Sequence, residues 1–124
     1  MSSLTFNQIS VSKVNVGLIQ MSCSSDPASN QVKAVERIRE AAQMGAQIIC
    51  LQELYRSLYF CQQFDESHFD LAESLDGPTV QQLIGLASEL NVVIVASLFE
   101  KRADGLYHNT AIVIDADGTN LGIY

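Results

Sequence analysis

Twice in this sequence a helical stretch opening on proline runs, within a few residues of its stop, into an unbroken apolar segment. Asp26-Pro27 starts the first. An aspartate there can cap free N–H groups, and proline, with fixed φ and no N–H, suits the first turn. The spacing predicts a helix from Pro27 to about Met44 with Val32, Val35, Ile38 and Ala42 inward. Gly45 supplies the left-handed stop. The strand Ala46 to Leu51 follows, and its run Ile48-Ile49-Cys50-Leu51 reads as buried on both faces, in the middle of a sheet. Gly77-Pro78 opens the second helix. Val80, Leu83, Ile84, Ala87 and Leu90 share one face of it, and Asn91 ends it. Val92 to Ala96 is then a third continuous strand.

With Val14 to Gln20 as a first strand, the order strand–helix–strand gives a parallel βαβ unit with a right-handed crossover. The fold class is therefore α/β. The turn after the first strand, Met21 to Asp26, contains no glycine, so the phosphate-cradling GxGxxG loop is absent, and no P-loop occurs. Further on the pattern changes. Tyr107 to Ile114 is extended, Asp115-Ala116-Asp117-Gly118 is a turn, and Leu121 to Tyr124 begins another strand, an antiparallel hairpin. The sheet is mixed, with helices packed on it.

Glu53 stands just past the second strand, where ligands collect in open α/β sheets. Set against Leu54, Tyr55, Tyr59 and Phe60, its carboxylate is expected to be partly desolvated, which raises a pKa and suits proton transfer near neutrality. The same residues also suit a surface glutamate that merely closes a strand. The long connection from Arg56 to Asp76 is expected to be functional, with a short helix near Asp65 to Glu73.

Charge narrows the partners. Fourteen acidic against seven basic residues give −7, which opposes nucleic acid and anionic membrane surfaces and is compatible with a cationic small substrate. The leader, residues 1–13, is polar and lacks a signal-peptide core. Three cysteines, Cys23, Cys50 and Cys61, show no metal-ligand spacing and read as reduced thiols in a cytoplasmic protein. His68 and Asp70 suggest metal ligands less well than a surface helix, given the neighbouring Phe64, Phe69 and Leu71. No metal or other cofactor is expected.

Gln52-Glu53-Leu54-Tyr55, Tyr59-Phe60-Cys61-Gln62, Phe99-Glu100-Lys101 and Asn109-Thr110-Ala111 together resemble the nitrilase superfamily of carbon–nitrogen hydrolases. The resemblance runs from about Val14 to Tyr124 and covers the first part of that family's catalytic domain. It implies the first half of a four-layered α-β-β-α sandwich and hydrolysis of a small, cationic, non-peptide amide through a Glu-Lys-Cys triad. It assigns Glu53 as the catalytic glutamate. The triad's lysine and cysteine belong to motifs beyond residue 124. The resemblance therefore implies an amino-terminal portion, inactive alone; the unpaired strand edge at Leu121 to Tyr124 gives the alternative of a split-gene subunit or interaction module completed by a separate carboxyl-terminal chain. Relatives commonly form homo-oligomers.

Other residues weigh less. Glu100, at the end of the third strand, is expected either to orient the substrate site or to make a structural hydrogen bond. Tyr59 and Phe60 either wall the substrate pocket or pack the loop. Cys61 has no nearby feature that would lower its pKa beyond Arg56. Lys101 reads as a solvated charge before the Ala103-Asp104-Gly105 turn, Asn109 as a structural strand residue, and His108 as exposed.

Overall fold

Both helices begin where proline places them. In the computed structural model, which describes residues 12–124, the Asp26 side chain accepts the Ala28 N–H at 3.1 Å and caps α1 (Pro27–Gln43). Gly45, at φ +96, carries the chain out of the helix. α2 (Pro78–Leu90) ends on Asn91 in the left-handed conformation, φ 54. Most of the polar leader, residues 1–11, lies outside the described residues.

The strands are β1 (Val16–Leu18), β2 (Ile48–Cys50), β3 (Val93–Ala103), β4 (Leu106–Ile114) and β5 (Asn120–Ile123). They form one sheet in the order β1-β2-β3-β4-β5. The first two pairings are parallel and the last two antiparallel. The mixed sheet and the closing hairpin follow the sequence reading. A 3-10 helix, Glu66–Leu71, lies in the long connection.

Both helices cover the same face. Ile38, Leu83, Ile49, Ile94, Ile112 and Ile114 are fully buried between helices and sheet, each such side chain contributing about 1.5–3 kcal/mol by leaving water. β1 lies close under α1. A Cβ at Gly17 would stand 3.1 Å from the Ala46 Cβ and 3.2 Å from the Ala41 Cβ.

Four expectations are corrected. β2 is buried on one face only: Ile49 is enclosed while Ile48 and Cys50 are half-covered, because no layer among the described residues covers the second face. There Val16 is 54% and Leu18 80% exposed. β2 is interior, second of five strands, and β3 is the middle one. β3 continues to Ala103, so Glu100 lies within it.

The phase of α1 is also rotated. Val32 is 59% exposed, while Asn30 and Gln31 are buried. Their polar contacts set the phase. Asn30 donates to the carbonyls of Ser24 and Arg56 at 2.8 and 2.9 Å, and Gln31 accepts the Tyr55 hydroxyl at 2.7 Å and donates to Gln82 at 2.9 Å. A buried amide with its partners satisfied is tolerated, and apolar periodicity cannot detect it. These contacts tether the helix to the loop that carries Glu53.

Candidate active site

The chain breaks sharply as it leaves β2. The Leu51 N–H still donates to the Val95 carbonyl at 2.9 Å, but Leu54 adopts φ +50, a conformation costing a non-glycine residue about 1–2 kcal/mol. Two contacts hold it: Leu54 is buried in the core, and its N–H donates to Ser97 Oγ at 3.0 Å. Strain of this kind tends to collect at functional sites. The bend buries Leu54 and Tyr55 and leaves Glu53 on the opposite, open face. Burial holds the Tyr55 hydroxyl far above its ordinary range, so it is a neutral donor to Gln31.

On that face Glu53 Oε1 accepts a hydrogen bond from Asn109 Nδ2 at 2.5 Å. Asn109 Oδ1 in turn accepts from Ser97 Oγ at 3.3 Å. Together with Cys50, Val95, Ala111 and Tyr124 these residues line a shallow groove across β2, β3 and β4. Neither Ser97 nor Asn109 was singled out from the sequence as a site residue, and Asn109 was read as structural. The available signal was two polar side chains at outward positions of otherwise apolar strands, asparagine being disfavoured in strands.

The partial desolvation expected of Glu53 is corrected. It is exposed, because Tyr55 turns into the core and Tyr59 is 53% exposed. Cys61, by hydrogen bond and by the charge of its thiolate, and then the Glu53 carboxylate raise the pKa of the exposed Tyr59 hydroxyl. Phe60 packs on Phe99 with ring centres 4.9 Å apart and on His68 at 5.1 Å. Phe99 continues to Tyr107 at 5.6 Å, and Phe69 to Tyr107 at 4.5 Å. Phe99 pairs with Asn109 across β3 and β4, so this aromatic row begins beside the Glu53 contact.

Glu100 does not join the cluster. Side chains alternate along a strand: Ser97 and Phe99 face the groove while Leu98 and Glu100 face the helices. Glu100 is only 2% exposed. Arg102 donates to its two oxygens at 2.9 and 3.0 Å, and Thr110 Oγ1 donates to Oε2. Hydrogen bonds from Arg102 hold its carboxyl below the usual range against the opposing effect of burial, helped by Thr110. Its structural reading is the one this geometry matches. His108, expected exposed, is half-buried beside Glu100 in the strand pairing, with Nε2 enclosed and unpartnered among the described residues.

The remaining candidates are apart from the groove or peripheral to it. Lys101 is exposed and meets Asp104 at 3.1 Å. Cys23 donates to the Tyr55 carbonyl at 3.1 Å, and burial raises its thiol pKa. Arg56 pairs with Glu73 at 3.1 Å. The Glu73 backbone bonds to Phe99 and Lys101 at 3.0 and 2.8 Å, fastening the long connection beside β3. Among the described residues no group of three metal-ligating side chains occurs, and no helix is long and apolar enough to cross a membrane.

Comparison with known proteins gives concordant results. A family model described as carbon–nitrogen hydrolase matches residues 15–124. An N-carbamoylputrescine amidase of Solanum lycopersicum is 43% identical over 112 residues, covering 90% of this chain and 37% of that protein. A citrullinase of Francisella tularensis is 37% identical over 115 residues, covering 92% and 40%. The crystal structure of a carbon–nitrogen hydrolase from Helicobacter pylori G27 superposes with a TM-score of 0.83 at 34% identity, covering 90% of this chain and 38% of that one. The chain thus spans well under half the length of these relatives.

Proposed function

The chain belongs to the carbon–nitrogen hydrolase family, and from that premise we propose that it supplies the general base of an amidase acting on a monosubstituted urea, N-carbamoylputrescine, in polyamine synthesis. The observation that carries this is Glu53 at the carboxyl end of β2, held by Asn109 over the open sheet face, in a chain 43% identical to a protein of that name. N-carbamoylputrescine and citrulline share a terminal ureido group and an ammonium. That supports the ureido carbon as the reacting centre, and the net charge of −7 suits a cationic substrate.

In the proposed reaction Glu53 takes the proton of a cysteine thiol, and the thiolate attacks the ureido carbon. The proton passes to the departing ammonia, which leaves an acylated cysteine. Glu53 then activates a water, which releases a carbamic acid that falls to amine and carbon dioxide. A lysine stabilises the tetrahedral intermediate. Glu53 is the only member of this triad that the present residues supply. Groups that act as a unit lose nearly all their effect when one is removed, so the 124 residues alone are inactive. Tyr59 and Phe60 line a separate pocket with Ser57, Gln62 and His68 rather than the groove itself, and their proposed role is to wall the substrate there; Glu100 is assigned no substrate contact.

A second reading concerns how the triad is completed. The exposed apolar face of β1 favours a second layer carrying the lysine and cysteine, either as further sequence or as a separate chain. We place the protein in the reducing cytoplasm, where its three cysteines remain free, with homo-oligomers as the assembly form.

The test is ammonia release from N-carbamoylputrescine. No turnover is expected from the chain alone. Turnover is expected on co-expression with a family segment bearing the lysine and cysteine, abolished by Glu53→Gln and weakened when butylurea replaces the cationic substrate. Turnover by the purified chain that Glu53→Gln abolishes refutes the requirement for that segment.

A further inference from the structure

Resting on the reading of Glu53 as the base, we infer that Asn109 is its positioning residue, fixing the carboxylate through Oε1 and leaving Oε2 as the oxygen that exchanges protons. Three hydrogen bonds run in one direction. The Leu54 N–H can only donate, and it uses Ser97 Oγ as acceptor at 3.0 Å. The Ser97 hydroxyl in turn donates to Asn109 Oδ1 at 3.3 Å. The amide N–H therefore faces Glu53, and a carboxylate can only accept. Rotating the Asn109 amide by half a turn would set two oxygens against each other at Glu53, and it is this carboxylate that decides the orientation, since the Ser97 oxygen can accept from two donors. The carboxylate partner thus fixes which end of the amide faces Glu53.

The placement of these residues gives the network its purpose. Glu53 and Leu54 lie on a strained bend, whereas Ser97 and Asn109 are diagonal neighbours on two long, paired strands, Ser97 opposite Ala111 and Asn109 opposite Phe99. The rigid sheet therefore holds a carboxylate that its own turn would leave free to rotate. A donor on one oxygen also makes that oxygen the weaker proton acceptor. Among the described residues Oε1 has the Asn109 partner and Oε2 has none.

The test uses the full chain, labelled with nitrogen-15. The Asn109 side-chain amide resonances are followed between about pH 3 and 7, the range in which carboxylates titrate. They are expected to shift with pH, and in Glu53→Gln to stay flat while the backbone spectrum remains folded. Amide resonances that do not move, or that move equally in Glu53→Gln, overturn the contact. This arm needs no change at Asn109 and no turnover. In the co-expressed active enzyme Asn109→Ala is expected to lower kcat about 10²-fold with little change in KM, the size of effect a misplaced catalytic group gives. An unchanged kcat overturns the positioning role. Absence of ammonia release from the co-expressed unsubstituted enzyme instead strikes the amidase reading itself, and so separates the two failures.

Discussion

The two faces of the sheet are built from similar residues and do opposite work. On the helix side Ile49, Ile94 and Ile112 are fully enclosed, and even the charged Glu100 is locked there by Arg102 and Thr110. On the other side Val16 and Leu18 meet water, and the polar residues Glu53, Ser97 and Asn109 make a directional relay. Glu53 and Glu100 each follow an apolar strand run and looked alike in sequence. Burial with a cation makes one a structural element. Exposure with a single amide donor leaves the other with one carboxylate oxygen unpartnered among the described residues. Within this sheet the covered face carries stability, and the open one is where the proposed chemistry would take place.

Substitutions on the two faces should separate accordingly. The largest effect is expected from Leu83→Ala on the covered side, a loss of about 2–5 kcal/mol, read as a lower urea midpoint at unchanged slope. Leu18→Ala on the open side should stay within about 0.5 kcal/mol. Equal losses would break the contrast.

Next comes the Glu100 pair. Thr110→Val removes a hydrogen bond to a buried charged group and should cost about 1–3 kcal/mol. The folded-state pKa of Glu100 is depressed, chiefly by its hydrogen bonds to Arg102. Its contribution to stability is therefore present above the unfolded value, near 4.5, and is lost as pH falls through the lower folded one. Unfolding midpoints measured from neutrality down through this range should fall less steeply in Glu100→Gln than in the unsubstituted chain.

Smaller still is the response of the exposed strand edge. Leu18→Lys should reduce binding of a fluorescent hydrophobic dye while leaving the urea midpoint nearly unchanged, because the side chain is 80% exposed. The smallest effect on folding is expected for Glu53→Gln, within about 0.5 kcal/mol, although it should abolish turnover of the completed enzyme. A large folding loss there would show that Glu53 works as Glu100 does and would erase the distinction between the faces.

Much of the architecture was legible from residues. Pro27 and Pro78 placed the helix starts, Gly45 and Asn91 the stops, and the turn at Asp115 to Gly118 placed the last hairpin. These signals are local, fixed by φ restrictions and capping groups that act within a few residues. The errors were all long-range. The phase of α1 was misread because Gln31 answers to Tyr55, 24 positions away. Asn109 does pair in the sheet as read, opposite Phe99, but its contact with Glu53 was out of reach because that partner is 56 positions away. Glu100 stayed open between the substrate site and a structural hydrogen bond because the length of β3, and with it the alternation, was underestimated.

The sequence by itself determined the mixed α/β order, the helix limits and the delivery of Glu53 to the end of an interior strand, since each follows from local stereochemistry and the period of the apolar pattern. Tertiary structure alone decided which sheet face is covered, that Glu53 stands exposed, and that Ser97 and Asn109 reach it. The physical reason is that burial and hydrogen-bond partnership depend on which distant strands lie side by side, and strand register is set by the assembled sheet rather than by any one segment.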